Sequence, residues 1–480
     1  MNRYITTTLP YVNADPHIGF AVEILQADAL ARSWRLQGDD VFFSTGTDEH
    51  GQKIWEAAEK NSQDVQDYVD HYAEEVKKLR DALSLTNDAF IRTTDAHHVA
   101  AAQEMWKRCD AAGDIYKKSY TGLYCTGCEA FKTEREIEGG HCILHPHLTL
   151  QEITEENYFF RFSKYADQLL AYLSREDAVV PEWRREEAIN FVKGGLEDFS
   201  ISREKERLSW GIPVPGDDSQ VMYVWFDALT DYISTLGWPN DAEGNFKKFW
   251  EEGTTLQMAG KDQVRFQSLM WQAMLMSADI KNTDQVFYHG FINSGGQKMS
   301  KSLGNVIGPY ELVQKYGTEA TRYLLLRHVH PTEDTDVTWE RLDEWYTANL
   351  VNGLGNLVAR VMKLAQDNLS APVALEAGDT EIDHAFIARI SEFKFNEALD
   401  YVFEMIAECD ALMTERAPFK KVKSEDQSIQ EEGKGDIALL ARHLAKIATQ
   451  LSAIMPVSTE AILVAVRTNT KPENLFPRLG

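Results

Sequence analysis

Between Arg3 and Phe43 the sequence changes period twice, and that change narrows the fold more than any other stretch. Arg3 to Thr8 is rich in β-branched residues and predicts a strand. A Pro/Asn turn follows, then Pro16-His17-Ile18-Gly19. From about Gly19 to Leu36 the apolar positions Val22, Leu25, Ala29 and Leu36 keep the spacing of an amphipathic helix, which ends at Gly38. Val41-Phe42-Phe43 predicts a second, buried strand. Strand, helix and strand at this spacing make a parallel β-α-β unit, so the fold class expected is α/β with a parallel sheet.

His17 falls where the first strand passes into the helix. The N–H groups and positive dipole end of a helix favour anions there. An imidazole at that point suits a phosphoryl oxygen on which charge is building; a plain turn histidine after proline is the competing reading. The chain has no Walker-type loop and no GxGxxG after the first strand, so nucleotide binding needs another device. Lys298-Met299-Ser300-Lys301-Ser302 offers one. It follows Gly295-Gly296 and precedes Gly304, so ammonium groups, hydroxyls and a hinge coincide. A solvated basic turn is the commoner fate of such a run. Taken together, the two motifs suggest one nucleotide gripped from two sides.

Helical spacing returns over residues 63–83 and 96–112. Short strands and Gly turns fill 115–216, and strand–helix alternation resumes at 220–232 and 256–277. Residues 1–114 and 217–290 therefore read as one α/β domain split by an insertion at 115–216. Residues 291–338 carry the lysine loop. Residues 339–480 read as a separate helical bundle, broken by polar connections at 370–380 and 420–435.

The five cysteines sharpen the insertion. Cys109 and Cys409 stand alone and read as ordinary buried residues. Cys125-x-x-Cys128 followed by Cys142-x-x-His145 is a four-ligand set with tetrahedral zinc spacing. His147 is an alternative fourth ligand and His141 a weaker one. The set is closed, which predicts one structural zinc per chain.

Composition adds limits. No apolar run among the 480 residues approaches transmembrane length, and Met1-Asn2-Arg3-Tyr4-Ile5 does not lead into a signal-peptide core, so a cytoplasmic protein without a membrane partner is expected. The net charge of -26 argues against a broad nucleic-acid surface but leaves room for a local basic groove.

Pro16-His17-Ile18-Gly19 followed by Lys298-Met299-Ser300-Lys301-Ser302 resembles the signature pair of the class I aminoacyl-tRNA synthetases. Thr8-Leu9-Pro10-Tyr11-Val12-Asn13, Thr45-Gly46-Thr47-Asp48-Glu49-His50-Gly51, Val224-Trp225-Phe226-Asp227-Ala228 and Gly260-Lys261-Asp262 resemble the methionyl-tRNA synthetase family in particular. The resemblance implies a class I Rossmann-type catalytic domain, a connective insertion with a zinc knuckle, and a C-terminal all-α anticodon-binding bundle. It implies formation of methionyl-adenylate from ATP, accompanied by Mg2+, and L-methionine, then transfer of the acyl group to tRNA(Met). His17, Lys298 and Lys301 would be catalytic, and with Gly19, Glu23, Gly260, Asp262 and His289 they would bind ATP. Leu9, Tyr11, Asp48, Trp225, Tyr232, Phe266 and Gln267 would form the methionine pocket. Asp48 would pair with the substrate ammonium, and the rings would suit a thioether.

Asn352, Asn356 and Arg360 recur every four residues on one helix face and match the family's anticodon-reading helix. Phe419 falls where the family usually stacks a tryptophan on the anticodon, and Lys420, Lys421 and Lys423 add local positive charge. Two positions depart from the family pattern. Phe20 replaces the final histidine of the first signature, and Gln267 replaces a histidine near the amino acid. The chain ends soon after the bundle with no appended dimerising domain, so a monomer is expected.

Overall fold

The structure is a computed structural model that describes residues 1–128, 130–299 and 305–479. It divides into two compact units: residues 1–16, 38–78 and 86–289 form the first, and residues 17–37, 79–85 and 290–480 form the second.

The first unit is built on a six-stranded parallel sheet. Its strands are β1 (Asn2–Thr6), β2 (Asp40–Thr47), β3 (Ala89–Arg92), β4 (Val179–Val180), β5 (Thr254–Gly260) and β6 (Gln285–His289). The order is β4-β6-β5-β1-β2-β3, every pair parallel. The sequence runs outward from β1 to β2 and β3 on one side, and later fills the other side with β5 and β6. The direction of winding therefore reverses between β1 and β5. In such sheets ligands bind in the crevice at the C-terminal strand ends beside that reversal.

The strands read as near-continuous apolar runs because both faces are covered. Tyr4, Trp106, Phe226, Trp250, Trp271 and Tyr288 lie in one core, with Trp106 and Phe226 edge to face at 5.5 Å. Burying each such ring contributes roughly 2 kcal/mol. The insertion is less separate than the sequence suggested. Its long antiparallel pair, Ile115–Cys125 with Gln151–Phe160, carries the cysteine cluster. Its Val179–Val180 segment joins the main sheet as the edge strand β4.

The second unit contains the helix α1 (Ile18–Leu36), which the chain threads between β1 and β2, and a set of helices from Pro309 onward. A fully buried ion pair fixes α1 in this unit. Arg322 meets Asp28 at 2.7 Å and donates to the carbonyls of Ile454, Leu83 and Ala453 at 2.6, 2.9 and 3.3 Å. These bonds offset the cost of burying both charges; loss of either partner would leave the other uncompensated. Phe20 is 7 % exposed on α1 and serves packing.

The polar stretch 420–435 is a connection only in its first part. Gln427–Gln450 is one long helix, capped by Asp426, whose carboxylate accepts from the Ser428 N–H at 2.8 Å. Gly433 sits inside it because a Cβ there would stand 2.7 Å from Lys421 Cβ. The glycine that suggested a break marks a close approach instead. Among the described residues no helix is long and apolar enough to cross a membrane.

Candidate active site and metal centre

The segment leaving β1 and the loop leaving β2 are stitched together. Asp48 N–H donates to the Pro10 carbonyl at 3.1 Å, and Val12 N–H donates to the Asp48 carbonyl at 3.3 Å. Tyr11 and Asp48 form an isolated parallel bridge. This pairs Asp48, 2 % exposed, with Tyr11 at the C-terminal edge of the sheet. Trp225 lies in the short helix α3 (Val224–Ala228). Its ring stacks on Phe266 at 4.0 Å and 16°, and meets Tyr11 edge-on at 6.2 Å. Leu9, Tyr11, Trp225 and Phe266 are all half-buried. Tyr232, in α4 (Asp231–Ser234), and Gln267 are deeper, and Gln267 Nε2 donates to the Tyr232 hydroxyl. The Gln267 side-chain carbonyl is buried with no hydrogen-bond partner among the described residues.

Gly260 and His289 end neighbouring strands in direct register. Asp262 lies in the turn Lys261–Gln263 that follows β5. Three of the expected nucleotide contacts are thus brought to one edge of the sheet.

The remaining expected phosphate contacts belong to the second unit. His17 caps α1, and its Nδ1 accepts from the Gly19 N–H at 3.0 Å. That bond assigns the proton of a neutral ring to Nε2 and makes Nε2 the donor. The Ile18 N–H donates to the Ile307 carbonyl at 3.2 Å. Two N–H groups expected to attract an anion are therefore engaged within the protein. Glu23, on the same helix, is buried. Lys298 ends a hairpin formed by Ile292–Ser294 and Gln297–Lys298. Asn305 donates to the Ser294 carbonyl at 3.3 Å. Lys301 lies outside the described residues.

In the insertion, Cys125, Cys128, Cys142 and His145 converge, with all donor atoms within 4.8 Å of one another. Cys128 Sγ lies 3.6 Å from Cys142 Sγ and 3.2 Å from His145 Nδ1, and Cys125 Sγ lies 3.7 Å from that nitrogen. A tetrahedral ion with metal–sulfur bonds of about 2.3 Å would set its ligand atoms roughly 3.5–3.8 Å apart, so the donors fit such a metal. Gly127 makes room, since a Cβ there would stand 2.5 Å from the His145 ring. His141 and His147 are exposed and stand outside the cluster.

In the second unit Asn352, Asn356 and Arg360 are all exposed. Asn352 lies in a π-helical stretch, Tyr346–Gly355, that runs into the α-helix Asn356–Asn368. Leu350, Leu354, Leu357 and Val361 are buried on the opposing stripe. Arg360 pairs with Asp410 at 2.6 Å. Phe419 is 38 % exposed. Lys421 is neutralised by Glu432 and Asp436 at 2.6 and 2.7 Å, so the basic cluster beside Phe419 is smaller than expected.

The chain matches the family described as tRNA synthetases class I (M) over residues 3–148 and 148–362. It is 38 % identical to the methionine–tRNA ligase of Rhizobium meliloti over 99 % of this chain and 94 % of that protein. Against the ligase of Thermotoga maritima the identity is 38 % over 98 % of this chain and 76 % of that one. The chain belongs to the class I methionyl-tRNA synthetase family. Its fold is similar to that of a Mycobacterium tuberculosis methionyl-tRNA synthetase in complex with methionyl-adenylate, with a TM-score of 0.89 at 35 % identity, over 96 % of this chain and 93 % of that one.

Family membership makes Phe20 and Gln267 informative. Phe20 is buried on α1, and a phenyl ring has no donor to offer a phosphate. Sequence reasoning missed His50, His98 and Asp227. His50 and Asp227 stand inside motifs already singled out, two residues after Asp48 and Trp225, but nothing in the sequence pairs them across 177 positions.

Proposed function

We propose that this chain activates L-methionine with ATP and ligates it to tRNA(Met) in the cytoplasm. The observation that carries the reading is the buried Asp48, whose backbone is bridged to Tyr11, with the Tyr11 ring in turn against the Trp225–Phe266 stack. A carboxylate there suits the ammonium of an amino acid, and adjoining rings suit a thioether. The buried Gln267 carbonyl supplies a further acceptor.

In the first step a methionine carboxylate oxygen attacks the α-phosphorus of ATP and pyrophosphate leaves. The protein positions the reactants and stabilises charge rather than donating electrons. The His17 Nε2–H would hydrogen-bond phosphoryl oxygens, and Lys301, ordered by Lys298, would offset the charge on departing pyrophosphate. Gly260, Asp262 and Glu23 would hold the ribose and His289 the adenine side. Magnesium enters with ATP as its counter-ion. In the second step a hydroxyl of the terminal tRNA adenosine attacks the acyl carbon and AMP leaves.

The reading is tested by amino-acid-dependent ATP–pyrophosphate exchange. Methionine is expected to drive it best; exchange driven best by another amino acid, or tRNA binding with no exchange at all, overturns the proposal. Asn352, Asn356, Arg360 and Phe419 would read the anticodon. Asn356→Ala is therefore expected to lower kcat/KM for tRNA by about tenfold and to leave exchange unchanged. Charging at the parent rate would remove it from that role.

Zinc fits the Cys125–Cys128–Cys142–His145 cluster, where three thiolates and an imidazole would close the coordination shell and hold the ion in a structural role. Metal analysis is expected to give about one zinc per chain. Cys142→Ala should lose it, with early protease cleavage within residues 120–150. A zinc-free parent protein of full activity would refute the assignment.

A further inference from the structure

His50 Nδ1 lies 3.1 Å from Asp227 Oδ2. The other oxygen of that carboxylate, Oδ1, lies 3.4 Å from Nε2 of His98. His98 sits in the helix α2 (Ala96–Ala111). Its Nδ1 lies 2.9 Å from Ser234 Oγ in α4. Asp227, His98 and Ser234 have no exposure, and His50 is 6 % exposed. One buried carboxylate thus joins the loop after β2, α3 and α2, and His98 carries the link on to α4. Burial alone would raise the Asp227 carboxyl, but His50 foremost, with His98, holds it below the usual carboxylate range. Asp231, one helical turn on, is pushed well above that range by burial.

The loop is held from its other side as well. Glu49 is fully buried and accepts from Arg92 Nε at 2.7 Å, Thr47 Oγ1 at 2.6 Å and Thr94 Oγ1 at 2.6 Å. Its carbonyl accepts from Trp210 Nε1 at 2.6 Å, and the Trp210 ring lies 5.5 Å from that of His50. His50 and Asp227 each stand two residues beyond a side chain assigned to methionine. Their hydrogen bond therefore links the loop that carries Asp48 to the helix that carries Trp225.

We infer that His50, acting through Asp227, is a positioning residue for amino-acid recognition: it fixes the Asp48 loop against the Trp225 helix and so tunes affinity for methionine. The inference rests on the methionine reading of that site. The experiment is steady-state exchange kinetics on the full chain with three variants. His50→Ala is expected to raise KM for methionine about tenfold, since a buried carboxylate loses a hydrogen bond. Turnover and KM for ATP should stay within about twofold, because neither depends on that link. His50→Asn places its amide nitrogen near the position of Nδ1 and should restore KM. His50→Gln carries the nitrogen further out, toward the position of Nε2, and should resemble alanine. That contrast remains readable if the alanine variant folds poorly. Unchanged KM for methionine in His50→Ala, equal KM in the Asn and Gln variants, or a matching rise in KM for ATP would overturn the inference. A parent protein without methionine-dependent exchange would instead defeat the reading beneath it.

Discussion

His17→Ala is expected to slow methionine-dependent ATP–pyrophosphate exchange by about 10²–10³-fold, the size of loss seen when one preorganised donor to a developing oxyanion is removed. Methionine affinity should stay within about twofold, because that donor acts on the phosphates only. His17 has two tasks that a single substitution confuses. It caps α1 by accepting from the Gly19 N–H, and the same bond makes Nε2 the donor. Alanine removes both, and the lost cap alone costs about 1 kcal/mol of stability. His17→Asn separates them. Asparagine is a strong N-cap, so thermal stability should return to the parent value. Its amide is too short to reach where Nε2 reached, so turnover should stay as low as in the alanine variant. An asparagine variant that is both stable and active would show that the imidazole serves the helix and not the reaction. With Phe20 buried in packing, no second ring from this signature is placed to compensate.

The parts of this molecule that were legible in the sequence are the local ones. The strand–helix–strand opening was readable because its apolar periods are set within 40 residues, and the observed bounds of α1, Ile18–Leu36, differ from the expected ones by one residue. The convergence of the cysteine cluster was readable because two short-spaced pairs on tight turns leave little choice of geometry, and His145 rather than His147 joins it. What was not legible depends on contacts distant in sequence. The capture of Asp227 by His50 and His98 spans 177 and 129 positions. The neutralisation of Lys421 depends on acids in the next helix. The engagement of the Ile18 N–H depends on a carbonyl at Ile307. The polar run 420–435 misled for a related reason: its glycine answers to packing against Lys421, which composition does not reveal.

Asp48→Asn is expected to raise KM for methionine by about 10²-fold, with a smaller change in turnover and none in KM for ATP. The substitution keeps size, removes the charge and replaces one acceptor oxygen with an NH2 that can only donate. A hydrogen bond to a charged group contributes about 1.5–3 kcal/mol, or roughly 10–150-fold in binding. The upper part of that range applies because Asp48 is 2 % exposed, where solvent screens little. The loop itself should survive the change. Its bonds to Pro10 and Val12 use the backbone of residue 48, and Glu49 is held by Arg92 and two threonines. Salt dependence then distinguishes mechanism. If Asp48 pairs with the substrate ammonium inside a buried site, the ratio of variant to parent KM should be nearly the same at low and at moderate ionic strength. A ratio that collapses as salt rises would mean the carboxylate steers substrate from a distance. An unchanged KM with lower turnover would move Asp48 from binding to chemistry.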